Sequence, residues 1–218
     1  MKYLQYFFYL GFNWNFPIAW HILRHEISGE KKYRLQTTGA DELKHLEEKG
    51  IDIEHSTMYM PASYDVLEKV FATIGLDHCR HFIDIGCGKG RVLTVAAYHG
   101  AKKVTGIELS KKFCKEAVAN LEKTKEQFPA LQYNIINNDA FYYEVPDDAE
   151  VIFMFNPFDE MVMKAVWENI RQSLKRAPRK MTIIYLNPLY KHIFLKAGYK
   201  EIFHTQELNY LEASVLVK

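Results

Sequence analysis

The chemistry-bearing residues of this chain sit in a few short stretches. The first is Asp84-Ile85-Gly86-Cys87-Gly88-Lys89-Gly90-Arg91, a G-x-G-x-G turn with an acid two residues before its first glycine. Glycines at such a turn let the backbone bend sharply and let a ligand approach it closely. A dinucleotide fingerprint, G-x-G-x-x-G, needs its third glycine at position 91, which is Arg91 here. A carboxylate beside the loop repels phosphate oxygens and attracts an ammonium. Glu108 follows 24 residues after Asp84, in Val-Thr-Gly-Ile-Glu-Leu-Ser, where it can accept both hydroxyls of a ribose or act as a helix N-terminal acid before Ser110. Asn137-Asn138-Asp139-Ala140 offers a carboxylate for an amino group, and Asn156-Pro157-Phe158 turns the chain after an apolar run.

Two histidine clusters have a different character. His21-x-x-x-His25 has helical metal-ligand spacing with Glu26 beside it, yet the sequence shows no third ligand, so it reads as a solvated helix face. His78-Cys79-Arg80-His81 falls in a turn and reads as structural. No metal is expected.

These residues need a scaffold, and the chain from position 62 onward supplies one. Helix-type patterns (Val66, Leu67, Val70, Phe71, Ile74; then Val92, Leu93, Val95, Ala96; then Phe113, Ala117, Val118, Leu121; then Met161, Ala165, Val166, Ile170, Leu174) alternate with strand-type runs. The strands are expected at 82–85, 104–107, 132–136, 151–155 and 181–186, with 199–205 and 210–217 closing the chain as an adjacent pair. Strands separated by helices imply βαβ units, hence an α/β, Rossmann-like sheet of seven strands. The sheet is mostly parallel, with one antiparallel C-terminal strand and helices on both faces. Val151–Phe155 is the most apolar run and is expected at the centre. Each polar group above then lies at the carboxyl end of a strand, where open α/β sheets bind ligands.

Residues 1–56 differ in composition and read as an N-terminal extension, with the domain proper over 57–218. The first twenty residues carry Tyr3, Tyr6, Phe7, Phe8, Tyr9, Phe12, Trp14, Phe16 and Trp20. Gln5, Asn13, Asn15 and Pro17 interrupt them, well short of the about 20 apolar residues of a spanning helix. The segment is expected to pack on the domain or cover its mouth, with peripheral membrane contact through Trp and Tyr as the alternative. Asp41 is expected to cap a short helix carrying Leu43 and Leu46.

The 218 residues hold 28 Lys+Arg against 27 Asp+Glu, a formal net charge of +1, which removes the basic excess of a general nucleic-acid binder. Hydrophobic residues at 48% are too many for a disordered chain. Cys79, Cys87 and Cys114 are too few and odd in number for a disulfide scaffold, so reduced thiols and a cytoplasmic setting are expected.

Asp84-x-Gly86-x-Gly88-x-Gly90, Glu108, Asp139 and Asn156-Pro157-Phe158 resemble motifs I, post-I, II and IV of the class I (seven-β-strand) S-adenosylmethionine-dependent methyltransferases. Tyr59-Met60-Pro61-Ala62-Ser63 is similar to a segment of the seven-strand protein-lysine methyltransferase subgroup. The resemblance implies that Asp84, Gly86, Cys87, Gly88 and Gly90 hold the methionyl part of S-adenosylmethionine. It implies Glu108 at the ribose and Asp139 at the adenine amino group, with Leu109 and Ala140 among the cofactor-binding residues. Asn156 would face the methyl group, and Tyr59, Pro157 and Phe158 would line the acceptor channel, Asn156 and Tyr59 standing as catalytic candidates. Phe158 departs from the Asn-Pro-Pro-Tyr signature of adenine and glutamine N-methyltransferases. The expected reaction is methyl transfer to a nitrogen nucleophile, with a protein lysine or a small molecule as acceptor and S-adenosylhomocysteine as product. A nucleoside-binding module without transfer and a dinucleotide oxidoreductase are the competing classes.

Overall fold

The computed structural model describes residues 2–13, 15–38, 61–155, 158–207 and 211–218. Helix α1 (Lys2–Asn13) and helix α2 (Phe16–Tyr33) form an N-terminal hairpin. Asn15 starts α2 by accepting a hydrogen bond from the Ile18 N–H at 2.9 Å, and Arg34 ends it in the left-handed region at φ 55°. Tyr6, Leu10, Ile18, Ala19 and Ile22 bury the seam between the two helices. Phe8, Phe12, Phe16 and Trp20 stay exposed on its outside, ring against ring. Among the described residues no helix is long and apolar enough to cross a membrane. The helix expected after Asp41 lies outside the described residues.

Helix α3 (Tyr64–Ile74) leads into an alternation of strands and helices: β1 (Phe82–Ile85), α4 (Arg91–Tyr98), β2 (Lys103–Glu108), α5 (Lys111–Gln127), β3 (Gln132–Asn137), β4 (Val151–Phe155), α6 (Glu160–Arg176), β5 (Thr182–Leu186), α7 (Lys191–Lys196), β6 (Lys200–Glu207) and β7 (Leu211–Val217). A short 3₁₀ turn, Ala140–Tyr142, lies between β3 and β4. The sheet order is β3-β2-β1-β4-β5-β7-β6, which places β4 at the centre as its composition implies. The first five strands pair in parallel, and β7 runs antiparallel to both β5 and β6.

Side-chain alternation along the strands feeds two cores, one on each face of the sheet. Phe82, Val151, Phe153 and Ile184 pack with α3 and α4, while Ile83, Ile85, Ile152, Met154 and Ile183 pack with α6 and α7. Phe71, Phe82 and Phe153 meet as an aromatic cluster with ring centroids 5.7–6.5 Å apart. Truncating one of these buried rings to Ala costs about 3–5 kcal/mol. On α6 the buried face is Val162, Met163, Val166, Ile170 and Ser173, whereas Met161 is 52% exposed. The expectation that Met161 faces the core is therefore corrected. Asp159 caps this helix by accepting from the Val162 N–H.

Candidate functional site

The glycine turn leaves β1 at the carboxyl edge of the sheet and is bound to its surroundings on several sides. The Gly86 and Cys87 N–H groups both donate to the Ile107 carbonyl at 2.9 Å, holding the turn against β2. Gly106 makes that approach possible: a Cβ there would stand 2.5 Å from Cys87 Sγ and 2.8 Å from Leu93 Cδ1. From α5, Asn120 Nδ2 donates to the Lys89 carbonyl at 2.9 Å. Gly90, at φ 78° and with Ala117 3.2 Å from where its Cβ would be, opens α4.

Asp84 and Glu108 are the charged groups of this edge. Asp84 is 2% exposed, and its Oδ2 is a buried oxygen with no hydrogen-bond partner among the described residues. Burial, and then the neighbouring Glu108 carboxylate, push Asp84 well above the ordinary carboxylate range. Glu108 is also raised, by burial, against the opposing pull of backbone N–H groups. Its Oε2 accepts from the Gly88 N–H at 2.9 Å and its Oε1 from the Ser110 N–H at 2.8 Å. Glu108 is thus the clip that closes the glycine turn, and its remaining lone pairs are what it can offer a ligand. Asn137 Nδ2 donates to the Glu108 and Leu109 carbonyls at 3.0 and 2.7 Å, fixing the chain where β2 ends.

Asp139 is half-buried at the end of β3, where its Oδ1 accepts from the Phe141 N–H at 2.8 Å and starts the 3₁₀ turn carrying Ala140. Leu109 is half-buried and Cys87 and Ala140 are buried. Burial and the nearby carboxylates push the Cys87 thiol up, away from reactive thiolate. Phe158 is half-buried against the core that includes Met154 and Ile152. Asn156, Pro157 and Tyr59 lie outside the described residues.

The site was tested against the cofactor implied by the motifs. An unpartnered buried carboxylate oxygen and a second carboxylate beside it, next to a glycine turn, form an acceptor-rich edge that suits a ligand with donor groups. S-adenosylmethionine carries an ammonium, a sulfonium and a ribose, so the residues fit the group.

Arg91 has a role that the sequence did not reveal. It is 2% exposed, and its guanidinium makes a two-pronged pair with Glu26 of α2, both N–O distances being 2.6 Å. It also donates to the Thr37 hydroxyl and the Ala62 carbonyl, each at 2.8 Å, and lies 4.1 Å over the Tyr64 ring. The residue after the glycine turn therefore ties the N-terminal hairpin to the sheet's carboxyl edge. Gly29 permits the fit, since a Cβ there would stand 2.2 Å from the Tyr64 ring. Among the basic and acidic residues of the N-terminal stretch, a signal for this pairing would have had to connect positions 65 residues apart.

The histidine clusters divide. His81 is buried and satisfied, with Nδ1 2.9 Å from Asp148 Oδ1 and Nε2 2.8 Å from Thr105 Oγ1, a structural tie at the start of β1. His21 and His25 are half-buried rather than solvated, which corrects the sequence expectation: α3 brings Asp65 to them.

Comparison with known proteins agrees with this arrangement. Residues 82–177 match the family model described as a methyltransferase domain. A protein-lysine N-methyltransferase of Saccharolobus islandicus (strain REY15A) is 24% identical over 132 residues, covering 60% of this chain and 80% of that protein. Among solved structures, a SAM-dependent methyltransferase from Aquifex aeolicus superposes with a TM-score of 0.53 at 15% identity, covering 69% of this chain and 88% of that one. An RNA methyltransferase from Salinibacter ruber, in complex with S-adenosyl-L-homocysteine, gives 0.51 at 16% identity, covering 72% and 92%. At these identities the structural matches speak for the fold. The chain is thus similar to a methyltransferase domain over residues 82–177, and its fold is one that SAM-dependent methyltransferases also adopt.

Proposed function

We propose that the protein transfers a methyl group to a nitrogen, and that the nitrogen is the side-chain amine of a protein lysine. One observation carries the acceptor reading, the similarity over 132 residues to a protein-lysine N-methyltransferase. The net charge of +1, with no excess of basic residues, supports a protein over an RNA acceptor.

S-adenosylmethionine supplies a sulfonium-activated methyl, so the protein's work is to orient and to keep the acceptor neutral. In this reading Asp84 holds the ammonium end through its unpartnered Oδ2, and the Gly86–Gly90 turn presents its backbone to the same end. Glu108 accepts from the ribose with the lone pairs left by Gly88 and Ser110, and Asp139 accepts from the adenine amino group. A lysine with a reference pKa of about 10.4 costs about 4.6 kcal/mol to neutralise at pH 7. Aromatic walls disfavour the ammonium and reduce that cost. Phe155 and Phe158, with Tyr59 and Pro157, are proposed as those walls, and Asn156 as the group that accepts from the amine and aims its lone pair. Residues 1–56 are proposed as an extension that caps the 57–218 domain, held by Glu26 on Arg91.

The test is incubation of the protein with methyl-labelled S-adenosylmethionine and a cell lysate fractionated into protein, RNA and small molecules. Label in protein that hydrolyses to methyl-lysine is the expected result. Label confined to RNA or to small molecules would overturn the acceptor reading while leaving the methyltransferase intact.

A further inference from the structure

We propose that His21, His25 and Asp65 form a binding site for one divalent zinc-type ion, which clamps helix α2 of the N-terminal hairpin to helix α3. His21 and His25 lie one turn apart on α2, so their rings project from the same side of the helix, with centroids 4.5 Å apart. Asp65, in the first turn of α3, is 8% exposed and turns Oδ2 to within 3.2 Å of His21 Nε2. One donor atom from each of the three lies within 4.8 Å of the others.

The donor set is what a zinc-type ion takes. Two imidazoles and a carboxylate are borderline ligands suited to Zn²⁺, and a helical i, i+4 histidine pair offers two of them from one rigid element. Tetrahedral Zn²⁺ with bonds near 2.0–2.2 Å spaces its ligand atoms about 3.3–3.5 Å apart. The His21–Asp65 pair already has that spacing, at 3.2 Å. The remaining separations, at most 4.8 Å, must close by up to about 1–1.5 Å for tetrahedral coordination, a change on the scale of a side-chain rotation.

Supporting groups are in place. The Ser63 hydroxyl donates to the other oxygen of Asp65, which orients the carboxylate and leaves Oδ2 for the ion, as outer partners of metal ligands do. Glu207, at the end of β6, has Oε2 3.9 Å from His21 Nε2 and now pairs with Lys69. It stands ready to take the fourth position, or to leave that position to water. His21 retains 32% side-chain exposure, which gives the ion an entry path. The carboxylate that completes the histidine pair lies 44 residues away along the chain, so the ion would close a loop that includes residues 39–60. The clamp is separate from the Asp84–Glu108 edge and needs no part in methyl transfer.

The full-length protein, stripped of metal with a chelator, is titrated with ZnCl₂ and the bound metal counted after equilibrium dialysis. One ion per chain is expected, with a rise in melting temperature. His25→Ala should lower the affinity at least tenfold and remove that rise while leaving the metal-free melt nearly unchanged. Asp65→Asn, with a similar shape and no charge, should lower the affinity likewise. Cys79→Ser should leave binding unchanged. Substituting Co²⁺ gives an independent reading, in which visible bands without sulfur charge transfer are expected. Undiminished affinity in His25→Ala, loss of binding in Cys79→Ser, or a thiolate signature with Co²⁺ would each overturn the assignment.

Discussion

Removing the carboxylate of Glu26 tests how firmly the N-terminal hairpin is joined to the glycine turn. Both ends of the Glu26–Arg91 pair are buried, at 1% and 2% exposure, and Arg91 Nη1 and Nη2 each meet a Glu26 oxygen at 2.6 Å. Glu26→Ala takes the two-pronged carboxylate from a buried guanidinium that also meets the Thr37 hydroxyl, the Ala62 carbonyl and the Tyr64 ring, and it removes the acceptor of the Thr38 hydroxyl. Breaking a buried pair from one side costs about 3–5 kcal/mol, because the surviving charge loses the partner that offset its desolvation. For a chain of this size each kcal/mol lowers the melting temperature by about 2–4 °C, so a drop of about 6–20 °C is expected. Replacing both partners, Glu26→Leu with Arg91→Met, removes both charges and should cost less than the sum of the single changes by more than about 1 kcal/mol. Urea unfolding of wild type, Glu26→Ala, the single changes Glu26→Leu and Arg91→Met and their double variant, followed by far-UV circular dichroism and by tryptophan fluorescence, measures the loss and closes the cycle. A Glu26→Ala loss below about 1 kcal/mol, or strict additivity in the double variant, would refute the reasoning.

Three further outcomes follow from the same geometry. Glu108→Ala should both destabilise the protein and weaken S-adenosylhomocysteine binding, each by about 1.5–3 kcal/mol, because the Gly88 and Ser110 N–H groups lose their acceptor. Glu108→Gln, which keeps one acceptor oxygen, should recover much of the stability but not the affinity, and calorimetry showing unchanged affinity in both would exclude the ribose role. Because Asp84 is raised in the folded protein, the folded state binds more protons than the unfolded one between the ordinary carboxylate pKa and the raised value. Stability without cofactor should therefore fall as pH rises through that window, and Asp84→Asn should flatten the dependence in melts taken across it; an unchanged slope in the variant would assign it elsewhere. Asn156→Ala should leave S-adenosylhomocysteine affinity nearly unchanged and lower turnover at least tenfold, about 1.4 kcal/mol in the barrier, whereas parallel losses of binding and turnover would move Asn156 to the cofactor shell.

What the sequence made legible was local. A buried run such as Phe82–Ile85 or Val151–Phe155 announces itself by composition, and the glycines of 86–90 by their spacing, because each depends on neighbours within a few residues. The parallel direction of the first five strands followed from their alternation with helices, since parallel pairing requires crossovers, and the apolar run Val151–Phe155 marked the central strand. Pairings across long stretches of chain left no such mark. Glu26 reads as a solvent-facing acid in a charged segment until α2 is laid against Arg91, and the His21–His25 pair has no third ligand until α3 supplies Asp65. Met161, part of the apolar pattern in the sequence, lies off the stripe of Val162, Met163, Val166 and Ile170 that α6 buries.

Sheet register explains why the polar groups of the pocket form a line rather than a cluster. Asp84 pairs with Gly106, so Glu108 stands two residues further along the neighbouring strand and on the same face. Glu108 in turn pairs with Asn137, so Asp139 lies two residues further again, past the end of β3. Each step is about 6.6 Å along the strand and about 4.8 Å across to the next, or about 8 Å on the diagonal. Three carboxylates thus follow one another at the carboxyl ends of three neighbouring parallel strands, the first with a buried unpartnered oxygen, the second clipped to the glycine turn, the third capping a turn of its own. The glycine at 106, opposite the buried acid, lets the turn lie close against β2, because any side chain there would collide with Cys87 and Leu93 and lift the turn away.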